Sequence, residues 1–172
     1  YGELYTSFDV FVKNTKSHID QETASASVKI KKGDILFAGS GETIDEIGKS
    51  AVYQLDSEGY AGGDIVILRP DASQDSSFLG YALNSEMARR ELRKIGQGQS
   101  VVHVYRKDLE TLSLALPEKS EQERIVGVLE VWDEYIEKLE QKIALKEQLK
   151  KGLMQQLLTG KRRLPGFNNK WQ

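Results

Sequence analysis

The chain has 172 residues, of which 39% are hydrophobic and 29% charged, and a formal net charge of −2. That size suits one ordinary domain plus an appendage, and the apolar fraction excludes wholesale disorder. The absence of cysteine excludes a disulfide scaffold, a cysteine zinc site and a thiol nucleophile, and it fits a reducing, cytoplasmic setting. In chain order, residues 1–117 predict an α+β domain. Candidate strands are LYTSFDVFV (4–12), SVKI (27–30), DILFAG (34–39), KSAVYQL (49–55), DIVILRP (64–70), SVVHVY (100–105) and LSLALP (112–117). They are rich in β-branched, aromatic and leucine residues, and many are bounded by Gly, Asp, Ser or Pro. DIVILRP is apolar throughout its centre and reads as a buried strand. SSFLGYALNSEMARRELRKIG (76–96) reads as one helix with Phe78, Leu79, Ala82, Met87, Leu92 and Ile95 facing inward and Gly96 as its stop. YRKDLETL (105–112) leaves room for a helical turn.

Pro117 marks a boundary. Ser120 three residues before Glu123 spells a capping box at the start of a long helix over 118–160. Gly160, the basic run Lys161-Arg162-Arg163 and Pro165 signal its end, and 161–172 reads as a linker. The first residue is Tyr1, so the expectation is a fragment or a processed chain. No apolar run reaches the length of a membrane helix, and no signal peptide opens the sequence. Charge is unevenly divided: residues 1–117 hold 13 Lys+Arg against 17 Asp+Glu, and residues 118–172 hold 11 against 9. Proteins that coat nucleic acid non-specifically are clearly basic, so any DNA contact here rests on local patches or on basic partners.

A helix of some forty residues is about 60 Å long, roughly twice the width of a domain of this size. Leu129, Trp132, Ile136, Leu139 and Ile143 follow one another at spacings of three and four, which is coiled-coil spacing. The stripe restarts at Leu145 and runs through Leu149, Leu153 and Leu157 every fourth residue, so it precesses around the helix. Burying each large side chain contributes about 1.5–3 kcal/mol. The stripe therefore calls for a partner, either another helix or the chain's own domain.

Three stretches resemble the specificity subunit of type I restriction–modification systems. VKIKKGDILFAGSGETIDEIGKSAVY (28–53) is similar to the core of a target recognition domain. FLGYALNSEMARRELRKIGQGQSVVHVYRKDLETLSLALP (78–117) is similar to its back half. PEKSEQERIVGVLEVWDEYI (117–136) is similar to the opening of the family's conserved helix. The resemblance implies an α+β, mixed-sheet recognition domain (1–117), followed by a coiled-coil-type spacer helix. It implies a non-catalytic subunit that binds double-stranded DNA, docks methyltransferase (M) subunits and, through them, the restriction (R) subunit. S-adenosylmethionine, ATP and Mg would belong to those partners. Family members typically carry two such domains and two helices that pair antiparallel. One of each here implies a half, natural or truncated, that self-associates or meets a second repeat. The helix-pairing positions would be Leu129, Trp132, Ile136, Leu139, Ile143, Leu149 and Leu153.

Within that frame, three groups are candidates for DNA contact. Ser40, Gly41, Glu42 and Thr43 form a Gly-rich loop; glycine allows close backbone approach, and Glu can accept from cytosine N4. Gln97, Gln99 and Ser100 follow the helix, and Gln pairs with adenine through two bonds. Arg89, Arg93 and Lys94, with Arg90, cluster on the helix and suit phosphates. The plainer alternatives stay open: a polar turn, a helix cap and linker, and a solvated face with Arg90 paired to Glu86. Lys29, Lys31 and Lys32 pose the same choice. Tyr5, Tyr53, Tyr60 and Tyr105 are expected to pack, and His18 and His103 lack ligand spacing. No nucleotide-binding or metalloprotease motif is present. An adaptor whose acidic head binds protein is the reading from another class; salt-dependent DNA affinity separates the two.

Overall fold

The computed structural model describes residues 2–41, 43, 47–96, 102–169 and 171. In chain order the elements are α1 (Gly2–Thr6), β1 (Phe11–Val12), α2 (Gln21–Ala26), β2 (Val28–Ile30), β3 (Ile35–Ala38), β4 (Ser40–Gly41), β5 (Ser50–Tyr53) and β6 (Gly59–Ala61). These are followed by β7 (Ile65–Leu68), α3 (Ser76–Asn84), α4 (Glu86–Ile95), β8 (Val102–His103), α5 (Arg106–Leu109) and α6 (Lys119–Leu157). By internal packing the chain divides into two units, Tyr1–Val126 and Gly127–Gln172.

The first unit is built on a mixed four-stranded sheet in the order β1-β5-β3-β7. β1 runs parallel to β5, and β3 runs antiparallel to both β5 and β7. All four residues of β3 are buried, because its alternating side chains enter two cores. Ile35 and Phe37 pack with Val52 and with Leu79 and Leu83 of α3. Leu36 and Ala38 face the other way, onto Leu4, Phe8, Val12, Ile30, Tyr53 and Ala61. A strand covered on both faces reads as a continuous apolar run, which is how DILFAG appears. The antiparallel pair β2–β6 covers the second face, with Lys29 opposite Tyr60.

Several expectations from the sequence need correction. Residues 4–12 do not form one strand: α1 supplies Leu4 to the core, and only Phe11 and Val12 pair. DIVILRP is an edge strand, half-buried, with Leu68 41% exposed. Its apolar run has side chains on both faces of the sheet, Ile65 and Ile67 against one core and Val66 against the other, although the strand has a single paired neighbour. LSLALP forms no strand; Leu112 and Leu114 still pack against the Ile35–Phe37 core without a ladder. The helix over 76–96 is two helices. Ser85 is extended (φ −64°, ψ 152°), and its hydroxyl caps α4 by accepting from the Ala88 N–H at 3.3 Å. Serine competes with the backbone in this way, which favours a cap over a helix interior. The break turns Met87 outward and brings Ala88 and Leu83 inside. The helical turn expected within 105–112 is α5.

Gly80 lets α3 lie against the sheet: a Cβ there would stand 2.4 Å from Val52 Cγ2. Asn84, one turn on, donates to the Ser50 carbonyl (2.8 Å) and to the Gly80 carbonyl (2.9 Å). Helix and strand are thus joined by apolar contact and by amide hydrogen bonds.

The helix α6 has 39 residues. Its start is not the capping box expected from Ser120 and Glu123. Ser120 lies within the first turn, and the Glu118 carbonyl accepts from the Glu121 and Gln122 N–H groups at 2.9 and 3.0 Å. Gln122 and Val126 are buried in the first unit. The second unit holds the rest of the helix and the tail. Gly160 adopts φ 70° just beyond the helix, as a glycine stop requires. Arg163 stacks over the ring of Trp171, 5.2 Å from its centre. Among the described residues no helix is long and apolar enough to cross a membrane.

Candidate nucleic-acid interface

Two short strands form the base of the candidate interface. β4 and β8 pair antiparallel, Ser40 opposite His103 and Gly41 opposite Val102. This register sets the last residue of β4 beside the first of β8. The loop that leaves Gly41 and the loop that arrives at Val102 therefore depart from one end of a single ribbon, although the sequence separates them widely. These are the two polar segments singled out from the sequence. Thr43 is exposed; Glu42, Gln97, Gln99 and Ser100 lie outside the described residues.

The ribbon is tied down from beneath. The Gly39 N–H donates to the Asp64 carbonyl at 2.7 Å, and the Val104 N–H donates to the Gly39 carbonyl at 2.9 Å. Ser40 is buried, with its hydroxyl donating to Asp64 Oδ2 at 3.1 Å. The Tyr5 hydroxyl donates to the Ser40 carbonyl, and Lys49 Nζ donates to the Tyr5 carbonyl at 3.0 Å. As placed, Ser40 and Gly41 belong to the support of the ribbon, and Thr43 is the described residue beyond it. Ile47, Val102 and Val104 form a small core under the same ribbon, flanked by Ile95 and Leu109.

The second contributor is α4. Arg89 points back into the domain, where Nη1 donates to the Ile47 carbonyl at 2.7 Å. It therefore fixes the chain next to the first loop. Arg93 Nη1 lies 3.1 Å from Glu86 Oε1, and Lys94 Nζ lies 2.6 Å from Glu91 Oε1. The Arg93 hydrogen bond and charge hold the Glu86 carboxyl below the usual carboxylate range, with smaller help from Arg90 and Arg89. Arg90 reaches Glu86 only at 3.9 Å and is 68% exposed. Exposed ion pairs contribute about 0–1 kcal/mol, so a phosphate can replace the carboxylate at little cost. The Arg90–Glu86 pair that the sequence pattern offered is present on an exposed face, whereas Arg89, a phosphate candidate in the sequence, is held by the Ile47 carbonyl.

Of the lysines weighed with this group, Lys29 pairs with Glu58, and Lys32 lies 3.0 Å from Asp56. Tyr53 is buried, and its hydroxyl donates to the Ser57 carbonyl at 3.0 Å. Tyr105 is half exposed, within the packing expected of it. It stacks on His103 at 6.0 Å between ring centres, and Lys107 Nζ sits 5.7 Å from its ring centre. Among the described residues no group of three or more His, Asp or Glu side chains could hold a metal.

The helix-pairing set was read from spacing alone. In the structure Trp132 is 61% exposed, Ile136, Leu139, Ile143 and Leu149 are exposed, and Leu129 and Leu153 are half-buried. Trp132 and Tyr135 meet edge to face at 6.4 Å. Val128, Val131 and Tyr135 widen the exposed apolar surface beyond the seam. The sequence pattern followed the seam and passed over Val131 and Tyr135.

The type I restriction modification DNA specificity domain matches residues 5–151, which takes in the sheet, the β4–β8 ribbon, α3, α4 and most of α6. The chain belongs to this family. A Methanocaldococcus jannaschii protein named as the MjaX type I restriction enzyme specificity subunit is 28% identical over 139 residues, which cover 78% of this chain and 32% of that protein. A solved chain from work on complex assembly and conformational transition of the type I R-M system shares the fold at a TM-score of 0.54 and 24% identity. That match covers 74% of this chain and 30% of the other. The specificity domain described here thus spans about a third of the length of these relatives. The mixed sheet and the long helix are the architecture expected of the family.

Proposed function

We propose that this chain reads one half of a bipartite double-stranded DNA site for a type I restriction–modification complex. The observation that carries the reading is the β4–β8 ribbon, which joins two polar loops at one end of a supported platform. A family match over most of the chain supports it. Residues 1–117 are the recognition domain, 118–160 the spacer, and 161–172 the link toward a following repeat. Base edges are read from Thr43 and the loop residues Glu42, Gln97, Gln99 and Ser100. Arg90, Arg93 and Lys94 contact phosphates, which position the domain without carrying sequence information.

The chain is not itself an enzyme. Methyl transfer with S-adenosylmethionine and ATP- and Mg-dependent cleavage belong to the methyltransferase and restriction subunits, in the cytoplasm. The exposed stripe of α6 pairs antiparallel with a second repeat or a second copy and spaces two half-sites about one DNA turn or more apart. The pair also docks the methyltransferase subunits. Trp132 and Ile136 with Val131 and Tyr135 beside them form one wide exposed apolar surface, broad enough for a paired helix along one edge and a methyltransferase subunit along the other.

The test is selection from random duplexes by the chain assembled with its methyltransferase subunit. A bipartite motif with a fixed gap is the expected product, and its affinity falls steeply as salt rises. Recovery of no motif, with salt-insensitive assembly, would favour a protein-binding adaptor instead.

A further inference from the structure

Gln122 is a fully buried side chain in the first turns of α6. Its Oε1 accepts from the Asp75 N–H at 2.9 Å, and its Nε2 donates to Gln74 Oε1 and to the Pro117 carbonyl, both at 2.8 Å. A carboxamide offers two donor hydrogens and one acceptor oxygen, and here all three functions are used. Glutamate would place a second acceptor against two oxygens, and leucine would leave three part-buried polar groups without this partner.

None of these bonds serves the helix's own free N–H groups. Two of them join α6 to the segment that begins α3. Asp75, whose N–H binds Gln122, also caps α3 by accepting from the Phe78 N–H at 2.8 Å. Lys119 Nζ adds a bond to the Ala72 carbonyl at 2.9 Å. From α3 the chain passes through Ser85 into α4, whose Arg89 holds Ile47 and whose last residue directly precedes the second polar loop. The elements that carry the candidate reading loops are thus continuous with the segment that Gln122 grips.

We propose that Gln122 is a positioning residue that registers the start of the spacer helix on the recognition domain. This rests on the reading of the chain as a spaced half-site reader. A plain cap could start the helix at the surface, as a serine or aspartate usually does. A buried amide with two bonds to the start of α3 and a third to the helix's own lead-in defines instead which residues of the domain the helix starts against.

The test compares wild type, Gln122→Ala and Gln74→Ala in the complex with the methyltransferase subunit. The probes are duplexes carrying the selected bipartite site with its gap lengthened or shortened by one to three base pairs. Wild type is expected to discriminate among gaps. Gln122→Ala should lose about tenfold of that discrimination, the equivalent of one net hydrogen bond, and Gln74→Ala less. A residue that only stabilised the fold would lower affinity for every gap alike, and that result would overturn the inference. Gln74→Ala removes one of the three Gln122 bonds, along with the exposed bond from Gln74 Nε2 to Ser73 Oγ, and decides the point if Gln122→Ala does not fold. Hydrogen exchange separates the two possible failures. Faster exchange at Asp75 and over residues 119–126 in the variants shows the tie whatever the DNA result. Unchanged exchange there overturns it. Faster exchange with no gap preference in wild type overturns the spacing reading instead, and with it the proposed role.

Discussion

Arg69 holds Asp34 by both nitrogens of one guanidinium edge, Nε to Oδ1 and Nη2 to Oδ2, each at 2.7 Å. Asp34 is fully buried and also accepts from the Lys31 N–H at 2.9 Å, in the turn that Gly33 permits with φ 90°. Asp34 immediately precedes β3, and Arg69 immediately follows β7. The pair therefore closes the end of the ladder at Ile35–Leu68 and fixes the register of an edge strand that has no outer neighbour among the described residues.

Removing the arginine leaves a buried carboxylate, the costly way to break such a pair. Arg69 is half exposed, so Arg69→Met should destabilise the unit at pH 7 by less than the loss of a partner from a fully buried pair, because water partly screens the carboxylate it leaves. Burial pushes the Asp34 carboxyl up. The Arg69 hydrogen bonds, the Lys31 N–H and the charges of Arg69 and Lys31 outweigh it and hold the carboxyl below the usual aspartate range. A depressed carboxylate contributes stability above its unfolded pKa, about 3.9, and loses it as pH falls through the folded value. Urea titrations at pH 7 and near pH 3 are the check. The gap between wild type and variant should be wide at pH 7 and should narrow in acid. A constant gap would mean that the ion pair is not its source.

Gly80→Ala should destabilise the recognition unit by about 1–3 kcal/mol, because the new methyl enters the space of Val52 Cγ2. Val52→Ala alone opens a small cavity. The double variant should recover part of both losses, since each change relieves the other. Thermal melts of the four proteins give the coupling directly. Strict additivity would contradict the close contact between α3 and β5.

How much of this was legible in the sequence follows from which forces are local. β3 and β5 were found because a strand covered on both faces carries an apolar run, and α6 because its apolar stripe runs from Leu129 to Leu157. The break at Ser85 was missed because Asn84 and Ser85 take their roles from Ser50 and Ala88, one distant in the chain and one across the break. β8 lies within the candidate strand SVVHVY, but β4 is only two residues long, and the pairing of the two is set by tertiary contacts to Asp64 and Tyr5. The candidate site was therefore visible as two polar loops but not as one ribbon. The motif Glu121-Gln122 was noticed as a family mark, while its physical role needed Gln74, Asp75 and Pro117 around it.

Pairing through α6 gives a third prediction. Trp132→Ala with Leu139→Ala removes two large side chains from the seam, at about 2–5 kcal/mol each if the pair buries them fully. Light scattering should show loss of self-association or of the methyltransferase complex. The recognition unit should keep its melting temperature, since both side chains are exposed and outside its cores. Normal assembly of the double variant would rule out this seam as the contact.

Arg89 and Arg90 are sequence neighbours with opposite expected phenotypes. Arg90 is the exposed guanidinium, bound to Glu86 only at 3.9 Å. Arg90→Ala should leave stability within about 0.5 kcal/mol, as surface substitutions do. It should weaken binding to specific and random duplexes alike and lower the slope of log affinity against log salt by about 1, the mark of one lost phosphate contact. Arg89→Ala removes the bond to the Ile47 carbonyl. Hydrogen bonds from charged groups contribute about 1.5–3 kcal/mol, so this variant should melt earlier. Its DNA defect should fall on sequence preference, because Ile47 anchors the loop beside the ribbon, while the salt slope stays close to wild type. Salt-series binding and thermal melts on the two single variants decide the assignment. A stability loss at Arg90 with a changed salt slope at Arg89 would exchange their roles and return Arg89 to the DNA face.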